Sequence, residues 1–310
     1  MAPRQVCEDS SNVKACLILR AVIVYYHDGR HSKVCTNLAQ KEMSGMRFLL
    51  KTVLRIFIRQ FGNIGWGRFA RLVVRHEILP FIKTHDGATK ILANPGDYAD
   101  MKFLKHGEYE ELVLMCIAKE LKSRGPNPIF WDVGAAKGLH SLRIKKLLPD
   151  CQIVAFEPSP KSLVYFLENK RVNNAVIDVY CFALGLGFFA KTFWYSNGLN
   201  SGLSGLIKPE GASDSEKTIV ISADILVYDL GFPKPDVVKI DCEGTTSDIL
   251  QGMKKICSES KKPILIFECF TQEAESVRQF LAEHKYETAV SIDENFNFVA
   301  RPISPKTSLT

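Results

Sequence analysis

The chain has 310 residues, of which 46% are hydrophobic and 24% are charged. This balance is ordinary for a globular protein, and the length allows one full-sized α/β domain with an appendage. No apolar run reaches the roughly 18 residues that a membrane-spanning helix requires. The nearest run, residues 17–26, is interrupted by Arg20 and lacks the small-residue cleavage site of a secretion signal.

Cysteine usage and charge narrow the possible classes of protein further. Nine cysteines occur without a C-x-x-C pair or a cysteine–histidine cluster at zinc-ligand spacing, so we expect a reduced, cytoplasmic protein. The formal net charge is +6, and residues 43–83 alone hold eight Lys or Arg residues against one acidic residue, Glu77. Because the rest of the chain is nearly neutral, we do not expect nucleic acid to be a partner.

The N-terminal part of the chain changes character near Met43. Residues 1–42 show no sustained periodicity, so we expect them to be poorly structured, and translation could begin at Met43 or Met46. Basic residues then recur at positions 47, 51, 55 and 59, which predicts an amphipathic helical extension over residues 43–77. Its basic stripe, within residues 43–75, either contacts the inner face of an anionic membrane or is simply solvated while the helices pack on the main domain.

The remaining chain predicts a short lead-in, a large α/β domain and a tail at residues 303–310. Residues 78–104 are expected to form short strands and turns. Over residues 105–302, apolar strands alternate with helices, which favours a parallel sheet covered on both faces. The predicted strands are 129–133, 152–156, 176–182, 236–240 and 264–267, and the predicted helices are 108–122, 141–148, 161–169, 247–257 and 273–283.

Two further features interrupt or close this alternation. The segments 188–195 and 218–222 are predicted to be extra strands, separated by a Gly/Ser-rich loop at residues 197–211. The segments 286–292 and 295–300 flank Asp293-Glu294 and predict a closing antiparallel hairpin.

A glycine-rich loop follows the strand 129–133 and reads Gly134-Ala135-Ala136-Lys137-Gly138. Glycines allow the backbone to approach a ligand closely, and the carboxyl ends of parallel strands are where open α/β sheets bind cofactors. The G-x-x-x-G spacing departs from the G-x-G-x-x-G of dinucleotide enzymes, and Asp132 would repel a pyrophosphate.

Carboxylates follow three of the predicted strands. Glu157 ends the strand 152–156, where a carboxylate can accept hydrogen bonds from both hydroxyls of a ribose. Asp241 and Glu243 end the strand 236–240. Together with Asp132, these side chains place four carboxylates at one edge of the sheet, and structural ion pairing would explain one of them more readily than four.

Six segments in this order resemble the FkbM family of methyltransferases that use S-adenosylmethionine (SAM). They span about half of the chain and are Gly107-Glu108-Tyr109-Glu110, residues 132–141, Phe156-Glu157-Pro158, residues 239–244, Leu250-Gln251-Gly252-Met253 and Phe267-Glu268. The resemblance implies a Rossmann-like class I methyltransferase fold, in which a mostly parallel seven-stranded sheet ends in an antiparallel hairpin. It also implies methyl transfer to a hydroxyl oxygen, often of a sugar in a glycan, a lipopolysaccharide or a glycosylated metabolite.

The resemblance and the strand ends together define the candidate site residues. The residues expected to bind SAM are Asp132, Gly134, Ala135, Gly138, Ser141, Glu157, Pro158 and Asp241. The candidates for the general base that takes the hydroxyl proton are, in order, Asp241, Glu243 and His140. Asp241 and Glu243 could instead hold a divalent ion, although nothing in the sequence indicates a metal site. Equally, Glu243 could cap backbone N–H groups and His140 could be an ordinary helix histidine.

Two residues depart from the family pattern and leave alternatives open. Ala136 stands where the family usually has Asn, which removes a polar group beside the glycine loop. Thr246 stands where the family usually has Glu, which removes a carboxylate from the expected acceptor side. A catalytically silent, membrane-associated SAM-binding module is therefore one alternative. A nicotinamide-dependent oxidoreductase is another, disfavoured by the glycine spacing and the terminal hairpin.

Overall fold

The computed structural model describes residues 81–83, 89–93, 97, 100, 103, 110–196 and 203–303. The expected start of the chain at 1–42, the basic helices of 43–77 with their membrane contact, and the tail after residue 303 lie outside the described residues. So do residues 197–202 of the Gly/Ser-rich loop. In the part of the chain that the structure describes, no helix is long and apolar enough to cross a membrane.

Strands and helices alternate through most of the described chain. The strands are β1 (Phe81–Lys83), β2 (Lys90–Leu92), β3 (Ile129–Val133), β4 (Gln152–Phe156), β5 (Asp178–Tyr180), β6 (Ala183–Leu184), β7 (Phe188–Trp194), β8 (Ser215–Ile221), β9 (Val237–Ile240), β10 (Ile264–Glu268), β11 (Val290–Ser291) and β12 (Asn297–Ala300). The helices are α1 (Glu111–Lys122), α2 (Leu139–Leu147), α3 (Pro160–Val172), α4 (Ala223–Tyr228), α5 (Thr246–Gln251), α6 (Lys254–Ser258) and α7 (Ala274–Glu283).

Seven of the strands form one sheet in the order β11-β12-β10-β9-β3-β4-β5. Strands β10, β9, β3, β4 and β5 run parallel, while β12 lies antiparallel to both β10 and β11. A mostly parallel sheet with one antiparallel hairpin at its C-terminal end confirms the expected Rossmann-like class I methyltransferase fold. Because the parallel strands point the same way, their carboxyl ends meet along one edge.

The central strands are apolar because helices cover both faces of the sheet. All four residues of β9 are buried, and so are the last four residues of both β3 and β4. Trp131 packs edge-on against Phe156 with ring centroids 5.1 Å apart, and its indole N–H donates to the carbonyl of Pro233 at 3.0 Å. Lys239 is the exception in β9, since it is charged and yet only 3% exposed.

The structure differs from the sequence prediction beyond β5. The single helix predicted over 247–257 is wrong, because α5 and α6 are separate helices. A Cβ built at Gly252, between them, would lie 2.1 Å from the carbonyl oxygen of Gly185, so the chain bends where two backbones pack together. Helix α4 was not predicted, although Ser222 caps it by accepting a hydrogen bond from the Ile225 amide at 3.3 Å. The extra strands form a separate sheet in the order β6-β8-β7.

Candidate active site

A cleft of about 220 Å³ opens at the carboxyl edge of β3, β4, β9 and β10. Ligands of open α/β sheets bind at this edge. Seven of the predicted site residues line the cleft, namely Gly134, Ala135, His140, Glu157, Pro158, Asp241 and Glu243. The other three, Asp132, Gly138 and Ser141, are buried and are not part of the described lining.

Both glycines of the loop are required by close packing. Gly134 has φ +80°, and a Cβ there would lie 1.9 Å from the backbone oxygen of Asp241. Gly138 also has φ +80°, and a Cβ there would lie 2.3 Å from the ring of Phe166. The first glycine therefore lets β3 end directly against β9, and the second lets the loop pack on α3.

Ala136 occupies a backbone conformation that favours the family's Asn over Ala. Its φ of 48° lies in the left-handed region, which Asn tolerates better than Ala. Its amide donates to Oε2 of Glu157 at 2.7 Å. Position 136 therefore contributes its backbone to the site whatever its side chain.

Asp132 and Ser141 support the loop from inside the protein. The hydroxyl of Ser141 donates to Oδ2 of Asp132 at 2.6 Å, while Oδ1 is buried without a hydrogen-bond partner in the described structure. Burial raises the pKa of Asp132, and the charge of Lys239 and the Ser141 hydrogen bonds offset this only in part. Asp132 is thus a buried carboxylate at the base of the site.

Glu157 is held rigidly at the end of β4. Its Oε2 accepts from the Ala136 amide, and its Oε1 accepts from the Ser159 amide at 2.8 Å. Burial raises the pKa of Glu157 to about 7 despite these two donors. Each carboxylate oxygen still has a second lone pair for a ligand hydroxyl.

Lys239 is a functional candidate to which the sequence analysis assigned no role. Its Nζ lies 2.7 Å from Oδ2 of Asp241. Burial alone would lower the pKa of Lys239, but the negative charges of Asp241, Asp132 and Glu110 outweigh it and raise the pKa. The signal that could have identified it is a charged residue inside an otherwise apolar strand.

A second cluster of carboxylates lies at the ends of β9 and β10. Burial, followed by the charge of Asp241, raises the pKa of Glu243 to about 7. Burial, followed by the charges of Asp241 and Glu243, raises the pKa of Glu268 to about 8. Oε2 of Glu268 is buried and accepts no hydrogen bond from the described residues. Glu243 also has a left-handed φ of 44°, a conformation that is often retained at functional sites.

His140 and Glu110 complete this side of the cleft. His140 is 7% exposed, and its Nε2 lies 3.5 Å from Oε2 of Glu110. Burial, with help from the charges of Lys239 and Arg143, holds the pKa of His140 well below its ordinary value, so the imidazole is neutral. Glu110 and Glu268 belong to the motifs that resemble the family, but they were not predicted as site residues. Each is the last residue of its motif, and no pattern of ligand-binding residues adjoins it.

Thr246 is buried beneath the cleft and does not line it. Its hydroxyl donates to the backbone carbonyl of Glu268 at 2.7 Å. The cleft therefore retains a carboxylate, Glu268, at the strand end that Thr246 supports. Within the described residues, no group of three or more His, Cys, Asp or Glu side chains is arranged to hold a metal ion.

The comparison with protein families matches the region that builds this cleft. The model described as Methyltransferase FkbM domain matches residues 132–288, just over half of the chain. This chain belongs to the FkbM methyltransferase family. The match confirms the resemblance seen in the motifs and contains the glycine loop, Glu157 and the carboxylates of β9 and β10. Glu110 precedes the FkbM range.

Two curated methyltransferases are similar to this FkbM chain. Methyltransferase sdnD of Sordaria araneosa is 27% identical over 157 residues, which cover 41% of this chain and 61% of sdnD. Hexuronic acid methyltransferase AglP of Haloferax volcanii is 29% identical over 183 residues, which cover 57% of this chain and 72% of AglP. The match thus spans about three fifths of sdnD.

Solved structures of methyltransferases are similar at lower identity. A precorrin-6y C5,15-methyltransferase from Geobacter metallireducens has a TM-score of 0.36 and 16% identity, covering 62% of this chain and 90% of that one. A tRNA (uracil-54, C5)-methyltransferase of Pyrococcus abyssi, in complex with S-adenosyl-L-homocysteine, has a TM-score of 0.39 and 11% identity. The match covers 71% of this chain and 43% of that one.

Proposed function

We propose that this chain transfers the methyl group of SAM to a hydroxyl oxygen, and that the hydroxyl belongs to a sugar in a glycan, a lipopolysaccharide or a glycosylated metabolite. Membership of the FkbM family supports methyl transfer, and the name of the AglP relative supports a sugar acceptor. One observation carries the proposal. A single cleft contains Glu157, whose carboxylate is held by two backbone amides, and a second group of carboxylates at the ends of β9 and β10, where the pKa values of Glu243 and Glu268 are raised to about 7 and 8.

The residues on the glycine-loop side fit SAM. Glu157 presents two fixed oxygens that can accept the ribose hydroxyls, and Gly134 and Ala135 offer closely approachable backbone. Carboxylates outnumber lysines on the lining, so the cleft attracts a cation. When bound, SAM supplies an electrophilic methyl group on a positively charged sulfur.

Glu243 is the best candidate for the base that takes the proton of the acceptor hydroxyl. A catalytic base works best when its pKa lies near the operating pH, and burial places the pKa of Glu243 at about 7. Asp241 is tied to Lys239 and therefore serves better to orient the acceptor. The neutral imidazole of His140, with its lowered pKa, is a weaker base. We therefore rank Glu243 ahead of Asp241, which the sequence ranked first.

Transfer of tritium from methyl-labelled SAM to a panel of neutral and acidic sugars and glycans tests the proposal. Replacing a general base lowers turnover by about 10² or more, so Glu243→Gln should show such a loss while its SAM affinity stays within about threefold. The wild-type rate should fall as the pH drops below about 7, because Glu243 becomes protonated, and the variant should lose this dependence.

The exposed Glu283→Gln on α7 is the matched control and should retain both the rate and the pH profile. A folded Glu243→Gln variant with wild-type turnover would show that Glu243 is not the base. SAM binding without transfer to any acceptor would instead favour the catalytically silent module.

A further inference from the structure

The lining of the cleft has a strong imbalance of charge. Among the described residues it has seven carboxylates and two lysines. The carboxylates are those of Asp97, Asp100, Glu110, Glu157, Asp241, Glu243 and Glu268, and the lysines are Lys137 and Lys239. Apart from the three glutamates whose pKa is raised to about 7 or 8, four acidic side chains remain on the lining against two lysines.

Both lysines are already engaged inside the cleft. Lys137 pairs with Asp100, and its Nζ lies 3.8 Å from Oδ1 of Asp97. Lys239 pairs with Asp241 at 2.7 Å. Each cation of the described lining therefore has a carboxylate partner, and an anionic ligand would have to compete with that carboxylate.

The acceptor side offers groups that recognise hydroxyls instead. Oε2 of Glu268 and Nε2 of His140 are both buried and make no hydrogen bond with the described residues, although both residues line the cleft. His140 is more than nine-tenths buried, and its neutral ring can accept or donate a hydrogen bond. A neutral polyhydroxyl compound would satisfy these atoms, whereas a negatively charged group at His140 would lie beside the carboxyl group of Glu110, which is 3.5 Å from Nε2.

We propose that the acceptor group entering this cleft carries no negative charge, so that the chain methylates a neutral sugar and discriminates against uronic acids and sugar phosphates. This inference rests on the proposed function, since it names the acceptor class of the same site. It separates this chain from its AglP relative, whose name specifies a hexuronic acid.

The charge of the cleft can be measured without knowing the acceptor. Cys242 lines the cleft, and Cys116 on α1 is a partly exposed thiol away from the lining. Each thiol is treated with cationic, neutral and anionic methanethiosulfonates, and the rates are read by peptide mass spectrometry. The cation-to-anion rate ratio cancels the raised pKa of the Cys242 thiol, because the same thiol meets every reagent.

We expect this ratio to be at least tenfold larger at Cys242 than at Cys116. Equal ratios, or a preference for the anionic reagent at Cys242, would overturn the inference. Ser162→Cys, on the same lining at the start of α3, supplies a second thiol if Cys242 reacts too slowly to measure.

Acceptor competition completes the test. A neutral glycoside, the matching uronic acid and its uncharged amide are compared as methyl acceptors, together with Glu268→Gln. The glycoside and the amide should be methylated at least tenfold faster than the acid, and at a pH above about 8, where Glu268 is charged, Glu268→Gln should narrow that gap. Equal or faster methylation of the acid would refute the inference while leaving the proposed methyl transfer intact. If no sugar is methylated although SAM binds, the proposed function fails. The cation-to-anion rate ratio of the thiols then tests by itself whether the cleft disfavours anions.

Discussion

The two halves of the cleft use the same kind of residue in different ways. At the end of β4, both oxygens of Glu157 accept hydrogen bonds from backbone amides. At the end of β10, Oε2 of Glu268 is buried without a hydrogen-bond partner in the described structure, and its raised pKa is due partly to Asp241 and Glu243. Glu157, Glu243 and Glu268 are strand-end carboxylates with raised pKa values, and burial is the main cause for each of the three.

The comparison shows that burial raises a carboxylate's pKa but does not determine what the carboxylate can do. Backbone donors hold Glu157 in one orientation, which suits an acceptor of ligand hydrogen bonds. Carboxylates whose pKa is raised to about 7 or 8, as for Glu243 and Glu268, suit proton transfer near neutral pH. We therefore propose that the glycine-loop half positions the ligand and that the half at β9 and β10 transfers the proton.

The largest effect is expected where the two halves meet. Gly134→Ala would place a Cβ 1.9 Å from the Asp241 backbone and also strain a left-handed residue. We expect a loss of more than about 3 kcal/mol in the free energy of unfolding, measured by urea denaturation. Gly231→Ala is the control, because Gly231 has φ +73° but nothing within 4 Å, and it should lose only about 1–2 kcal/mol. Equal losses would mean that the contact with Asp241 is unimportant.

The next largest effect concerns Lys239, whose positive charge lies in the half of the cleft at β9 and β10. Lys239→Met removes the partner of Asp241 and leaves the buried Asp132 without its nearby positive charge. Breaking such a pair should lower the free energy of unfolding by about 2–3 kcal/mol, somewhat less than for a fully buried pair. Lys234→Met breaks the more exposed pair with Glu259 and should cost less than about 1 kcal/mol. If the two variants lose the same stability, Lys239 does not stabilise the carboxylates.

A smaller effect would test the glycine-loop half directly. Glu157→Ala removes the acceptor proposed for the ribose hydroxyls, each hydrogen bond contributing about 1.5–3 kcal/mol. We expect micromolar SAM affinity in the wild type and at least a tenfold loss in the variant, measured by calorimetry. Glu157→Gln keeps the shape and one amide acceptor and should lose less affinity than Glu157→Ala. Unchanged affinity in a folded Glu157→Ala protein would contradict the ribose assignment.

The smallest expected effect is a gain. Ala136→Asn places a residue that tolerates the left-handed region at φ 48°, so the free energy of unfolding should rise by about 0.5 kcal/mol. The same substitution at Ala282, an exposed residue inside α7, should lower it by a similar amount because Asn is a weaker helix former. Thermal and urea unfolding of both variants would check the opposite signs. A loss at position 136 would show that the loop does not hold the strained conformation.

Much of the fold was predictable because its signals are local. The bounds of β3 and β4 agree with the prediction to the residue, since each is a short run of mostly apolar residues before a turn. The break between α5 and α6 was not predictable, because it depends on Gly252 packing against Gly185, 67 residues earlier in the chain. Helix α4 was missed because six residues are too few to show a helical period.

The candidate site likewise has residues that local sequence patterns predict and residues that only contacts between distant parts of the chain reveal. The glycines and acids that follow β3, β4 and β9 could be assigned to the site from the amino-acid order alone, because parallel strands of such folds carry their ligand-binding residues at their carboxyl ends. The pairing of Lys239 with Asp241, and the place of Glu268 beside Glu243 on the lining, became visible only in the folded chain. It also showed that Asp132 is buried behind the lining. Ion pairing and pKa depend on burial and on distances between strands, and residues far apart in the chain set both.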